Sequence, residues 1–186
     1  MIATAKRLAS VQEYYFSRKL REVSQMVQQG HPVINMGIGS PDLAPHPEVV
    51  NALSIAMEHP RANMYQSYQG LPELRSAIAD FYQNYYQVSL DPNLEVLPLM
   101  GSKEGIMHIS MAFLNKGDQV LFPNPGYPTY AVVTKLLEAE PVLYNLTAAN
   151  HWQPDFEALE ALDTSRVKIM WINYPHMPTG SEAQAE

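Results

Sequence analysis

Gly101-Ser102-Lys103 stands where an apolar run, Leu94 to Met100, gives way to a helical stretch from Lys103 to Leu114. Free backbone N–H groups, a hydroxyl and an ammonium would meet there at the positive end of a helix dipole, which is a donor set for an anion. A capped helix with a solvated lysine has the same sequence. Neither GxGxxG nor a Walker A pattern occurs, which disfavours a dinucleotide or the usual P-loop site. Tyr127 lies just past the Pro125-Gly126 turn. Its ring could stand over a flat heterocycle at a sheet edge, or pack on the core as the first residue of a helix. Asn173-Tyr174-Pro175-His176-Met177-Pro178-Thr179-Gly180 ends an apolar strand in a rigid, proline-bearing loop. Such a loop is shaped for a site, or serves as a structural turn, and a histidine in it is expected to face water.

These segments need elements to hold them. Val11 to Val27 carries apolar residues at helical spacing and stops at Gly30. Pro32 to Met36 is a short strand candidate running into the turn Gly37-Ile38-Gly39-Ser40-Pro41-Asp42. Pro47 opens one helix, to Met57, and Leu71-Pro72-Glu73 opens another, towards Tyr85; the polar, aromatic loop Asn63–Gly70 separates them. Strands are expected at Leu94–Met100, Gln119–Phe122, Val142–Leu146 and Val167–Asn173, with helices at Lys103–Leu114, Tyr127–Ala139 and Pro154–Leu162. Strands alternating with helices predict an α/β fold around a parallel sheet, with ligands bound beyond the carboxyl ends of the strands. The three segments described above all fall at such ends and are expected to converge.

Composition narrows the function. Twelve Lys and Arg against nineteen Asp and Glu give a net charge of −7, which offers no basic footprint for nucleic acid. The absence of cysteine removes a disulfide scaffold, a thiolate metal site and a cysteine nucleophile. No metal site is expected. No apolar run approaches the roughly 18 residues needed to span a bilayer, and the N-terminus lacks a signal-peptide core, so a cytoplasmic protein without membrane contact is expected.

Several motifs, in order along the chain, resemble the class I/II, fold-type I pyridoxal phosphate (PLP) aminotransferases. They are Gly37–Asp42, Tyr65 followed by Gly70-Leu71-Pro72-Glu73-Leu74-Arg75, Gly101-Ser102-Lys103-Glu104-Gly105, Pro125-Gly126-Tyr127-Pro128-Thr129-Tyr130, and Asn173-Tyr174-Pro175 with Pro178-Thr179-Gly180. Tyr14-Tyr15-Phe16-Ser17 is similar to a stretch of the LL-diaminopimelate and alanine aminotransferase subgroup. The resemblance implies a three-layer large domain with an incomplete, mainly parallel sheet. Residues 1–45 would be an N-terminal arm and small-domain segment, and 46–186 the N-terminal part of the PLP-binding domain. It implies that Gly101, Ser102 and Lys103 hold the cofactor phosphate and that Tyr127 stacks on its ring. Tyr65 would reach the phosphate of the other subunit of a homodimer. Gly39 would lie by the substrate carboxylate, and Tyr14 would touch substrate. The family reads Asn-Pro-Thr-Gly where this chain has Met177-Pro178-Thr179-Gly180. That asparagine donates to the ring oxygen of PLP in relatives, and a thioether cannot donate. Ring-oxygen recognition is therefore expected to be weakened or rerouted, with His176 or Asn173 as nearby donors and Met177 as a soft apolar contact.

The Schiff-base lysine of the family lies beyond the Pro-Thr-Gly motif. None of Lys6, Lys19, Lys103, Lys116, Lys135 or Lys168 stands in a matching context. The chain is therefore read as the N-terminal portion of an aminotransferase acting on an amino acid and a 2-oxo acid, inactive by itself and prone to aggregate. The alternatives are another fold-type I PLP enzyme (lyase, decarboxylase or synthase) and a non-catalytic PLP-fold fragment or regulator module.

Overall fold

The computed structural model describes residues 2–11, 13–37, 39 and 41–184; Ile38 and Ser40 of the glycine-rich turn lie outside the described residues. Contacts divide the chain into two units: Met1–Glu13 with Leu99–Glu186, and Tyr14–Pro98.

The first unit is built on a parallel sheet. Strands β1 (Gln119–Asn124), β2 (Glu140–Asn145) and β3 (Val167–Met170) lie in the order β2-β1-β3. They alternate with the helices α4 (Ser102–Phe113), α5 (Pro128–Leu136) and α6 (Phe156–Glu160). Side chains alternate across a strand, so central β1 supplies a core on each face. Val120 and Phe122 pack with Ile106 and Leu114 from the α4 region and with Tyr130 and Val133 of α5. Leu121 packs on the other face with Tyr144 and Leu146, flanked by Trp152, Leu159 and Leu162. Helix, sheet and helix thus form three layers, which agrees with the expected α/β class.

The second unit holds α1 (Tyr15–Gln28), α2 (Pro47–Met57) and α3 (Pro72–Tyr86). Pro47 and Pro72 occupy the first turns, where a missing N–H costs nothing. The His46 side chain caps α2 by accepting from the Glu48 amide at 3.3 Å. Neither α1 nor α2 has a buried residue among those described, and α3 buries Arg75 and Ala79.

Some expected elements differ. Val11, Glu13 and Tyr14 are not helical, and Val11 closes a 3-10 turn over Lys6–Ser10; Gln12 lies outside the described residues. Residues 32–36 and 94–100 form no strand, because a strand is held by ladder bonds to a neighbour and no described residue pairs with either run. Leu99 instead packs on α4, its Cδ1 2.6 Å from where a Cβ on Gly105 would stand. Strand β3 stops at Met170; one further bond, from the Trp171 amide to the Leu121 carbonyl (2.8 Å), carries the chain into the loop.

Candidate active site

Gly101 caps α4 with φ 121° and ψ 160°, a conformation that favours glycine. No side chain caps the helix. The Glu104 carboxylate turns back to accept from the Met100 amide at 2.6 Å, so the acidic group of the first turn is engaged behind the cap. Ser102 and Lys103 are the first two residues of α4, so both side chains arise from its first turn.

Lys103 Nζ lies 5.9 Å from the centroid of the Tyr127 ring. That is within cation–π reach, and it brings two of the three strand-end segments together. Tyr127 caps α5, with Pro128 at the first helical position. Its ring meets Tyr130 edge-on at 5.6 Å, and Tyr130 stacks on Trp171 at 5.3 Å and 7°. Tyr127 thus packs against the core, as one of its two sequence readings has it, and its ring stands beside the ammonium. Burial pushes the Tyr130 phenol pKa up. Burial pushes Tyr144 up further, with Tyr174 adding to the effect, so both hydroxyls stay neutral donors; Tyr144 donates to the Trp171 carbonyl at 2.9 Å.

The loop after β3 is the third segment. The His176 amide donates to the Ser181 carbonyl and the Gly180 amide to the His176 carbonyl, each at 2.7 Å. The Met177 amide donates to Asn173 Oδ1 at 3.0 Å, which leaves the Asn173 side-chain NH2 as the donor of that residue. The Met177 side chain is half exposed. His176 does not face water: it is 2% exposed. The Pro125 carbonyl of the loop after β1 is close enough to the ring to favour its protonation, although it makes no hydrogen bond of good geometry with Nε2. Gly101–Lys103, which follows no strand, and the loops after β1 and β3 all lie in the first unit, and Lys103 and Tyr127 bring the first two of these together. Sequence reasoning missed the burial of His176, and it missed the Asn124–Asn145 amide bond (3.0 Å) across the carboxyl ends of β1 and β2. The shared place of the two asparagines at strand ends was the available signal.

Tyr14, Gly39 and Tyr65 belong to the second unit. Tyr14 caps α1, with its ring 5.5 Å from Phe16. A Cβ on Gly39 would meet nothing within 4 Å. Tyr65 is fully exposed in a loop tethered by Arg75, whose Nη1 donates to Gln69 Oε1 at 2.9 Å. Among the described residues there is no cluster of metal-ligating side chains, and no helix is long and apolar enough to cross a membrane.

A three-layer α/β unit built on a parallel sheet, with an uncapped helix start beside an aromatic ring, defines the class of fold. A family model described as "Aminotransferase class I and II" matches residues 31–186. The chain belongs to that family. It is 40% identical over 179 residues to an LL-diaminopimelate aminotransferase of Moorella thermoacetica, covering 96% of this chain and 46% of that protein. The structure of apo-BacF from Bacillus subtilis superposes with a TM-score of 0.90 at 36% identity, covering 100% of this chain and 47% of that one. An alanine aminotransferase from Pyrococcus furiosus gives a TM-score of 0.89 at 31% identity, covering 97% and 46%. The chain spans about half the length of the relatives it matches.

Proposed function

We propose that the whole protein is a pyridoxal 5'-phosphate-dependent aminotransferase that moves an amino group from an amino acid to a 2-oxo acid. The observation that carries this reading is the donor set of Gly101, Ser102 and Lys103 at the start of α4, with the Tyr127 ring beside it. The donors suit a dianionic phosphate: the first amides of α4 lack a side-chain cap, the local carboxylate is turned away, and the ammonium is adjacent. When bound, PLP supplies the electron sink for chemistry at the carbon bearing the amino group.

The residues of this chain bind and orient. Ser102, Lys103 and the Gly101 turn hold the phosphate, and Tyr127 covers one face of the ring and keeps water from it. Asn173 offers its NH2 to the ring oxygen, and Met177 makes an apolar contact where relatives place asparagine. Gly39 leaves room for the substrate carboxylate, and Tyr14 touches substrate. Tyr65 serves the phosphate site of a second copy in a homodimer, a role that its exposed loop supports. Residues 1–45 belong to the small domain and 46–186 to the PLP-binding domain. The catalytic amine comes from outside residues 1–186, so this chain alone is inactive. We place the enzyme in the cytoplasm and in amino acid metabolism, without a metal or a nucleic-acid partner.

The test is turnover by the protein expressed from its whole reading frame. Amino acids, including the LL-diaminopimelate of the relatives' names, are supplied with a 2-oxo acid and PLP. Paired formation of a new amino acid and a new 2-oxo acid is expected. Release of ammonia or carbon dioxide without such pairing would assign a lyase or decarboxylase, and no turnover would assign a non-catalytic PLP-fold protein.

A further inference from the structure

Strand β1 carries a proline inside the sheet: Pro123 is buried in the central strand, with β2 on one side and β3 on the other. Proline has no N–H to give to a ladder. Just beyond β3, the Trp171 amide donates to the Leu121 carbonyl at 2.8 Å. The next bond of a parallel ladder would be returned to the Trp171 carbonyl by the amide at position 123, which does not exist. The Tyr144 hydroxyl donates to that carbonyl instead, at 2.9 Å. Tyr144 stands opposite Pro123 in the register of β1 and β2, so its side chain reaches across the central strand to the chain leaving β3. The Trp171 backbone is thereby held at both its amide and its carbonyl.

The Trp171 side chain packs on the α5 side of the core, where its ring stacks on Tyr130 at 5.3 Å and 7°. Tyr130 is buried, and the Phe122 ring lies 6.4 Å away, so in a close-packed interior it has little room to turn. Its ring meets Tyr127 edge-on at 5.6 Å and 81°, and Lys103 Nζ lies 5.9 Å from the Tyr127 ring. Aromatic rings in contact therefore run from the end of β3 to the ammonium at the start of α4. We propose that Trp171 is a positioning residue for Tyr127: with its backbone fixed by the Tyr144 hydroxyl in place of the missing Pro123 amide, its ring backs Tyr130 and so sets the attitude of the Tyr127 ring. Trp171 itself touches no ligand. The consequence for the cofactor rests on the reading of Tyr127 given above; the ring stack itself does not.

The experiment uses the whole protein with 3-fluorotyrosine at position 127. Without PLP, Trp171→Leu and Tyr144→Phe should each shift or broaden the 19F signal. Trp171→Phe keeps a ring that can stack and should leave the signal near its parent position. Binding is then measured with PLP and with phosphate-free pyridoxal. Trp171→Leu should weaken both roughly two- to tenfold, because a ring contact is disturbed and no phosphate contact is, whereas Trp171→Phe should keep the parent affinities. If Trp171→Leu does not fold, Tyr144→Phe carries the test. An unmoved 19F signal in folded Trp171→Leu or Tyr144→Phe protein overturns the proposal, as does a signal that moves as far in Trp171→Phe as in Trp171→Leu. A moved signal with unchanged affinity for both ligands would support the ring stack and remove Tyr127 from the cofactor site.

Discussion

His176 makes stability depend on pH in a direction that can be worked out. Burial holds its pKa in the folded chain below the ordinary value near 6.5, with only the Pro125 carbonyl opposing. The Tyr174 ring and the Thr179 hydroxyl are its other neighbours, and it takes part in no ion pair among the described residues. The unfolded chain therefore binds more protons between the folded pKa and about 6.5. Stability is fully present above that range and falls as acid is added through it, until the folded ring itself protonates. The urea midpoint of the protein should drop between pH 7.5 and 5 more than that of His176→Gln. Equal drops would mean that the buried imidazole does not contribute. Arg166 holds the Glu140 carboxyl below its usual range through a 2.9 Å ion pair, but both side chains are about half exposed and water screens the pair, so it adds little.

At the scale of elements, the β1–α5 turn is the most sequence-constrained segment of the site. Gly126→Ala would drive a methyl into the backbone oxygen of Pro123, which cannot swing aside as a side chain can. The expected loss is about 1–3 kcal/mol, read as a lower denaturant midpoint, and a wild-type midpoint would show that the turn relaxes freely. Such turns were legible beforehand because glycine and proline restrict the backbone locally. Pro47 likewise marked the start of α2, and Leu71-Pro72-Glu73 the opening of α3. Strands β1 and β2 were legible from apolar runs bounded by turns. Leu94–Met100 has the same apolar character and yet forms no strand, because pairing depends on neighbours remote in sequence. The helix starts beside Ser102 and Tyr127 could be anticipated from the Gly101 and Pro125-Gly126 turns. The burial of His176 could not, since no local pattern predicts what will cover a residue in a proline-bearing loop.

For the molecule as a whole, this chain spans about half of its relatives and carries apolar side chains that nothing among the described residues covers. Val49, Leu53 and Met57 repeat along α2 at 61%, 62% and 69% exposure. Residues 1–186 alone should therefore self-associate with rising concentration in sedimentation velocity. A monodisperse monomer with a sharp thermal transition would contradict that expectation. The central claim, that the start of α4 is a phosphate site serving a PLP ring beside Tyr127, has a more direct test. PLP and phosphate-free pyridoxal are titrated into the whole protein and into its Lys103→Met variant, with binding followed by quenching of intrinsic fluorescence. Losing a charge-assisted bond of about 1.5–3 kcal/mol should weaken PLP binding roughly 10- to 100-fold in the variant and leave weak pyridoxal binding unchanged. Equal affinities for PLP and pyridoxal in the unmodified protein, or a variant that binds PLP as tightly as the parent, would contradict the claim.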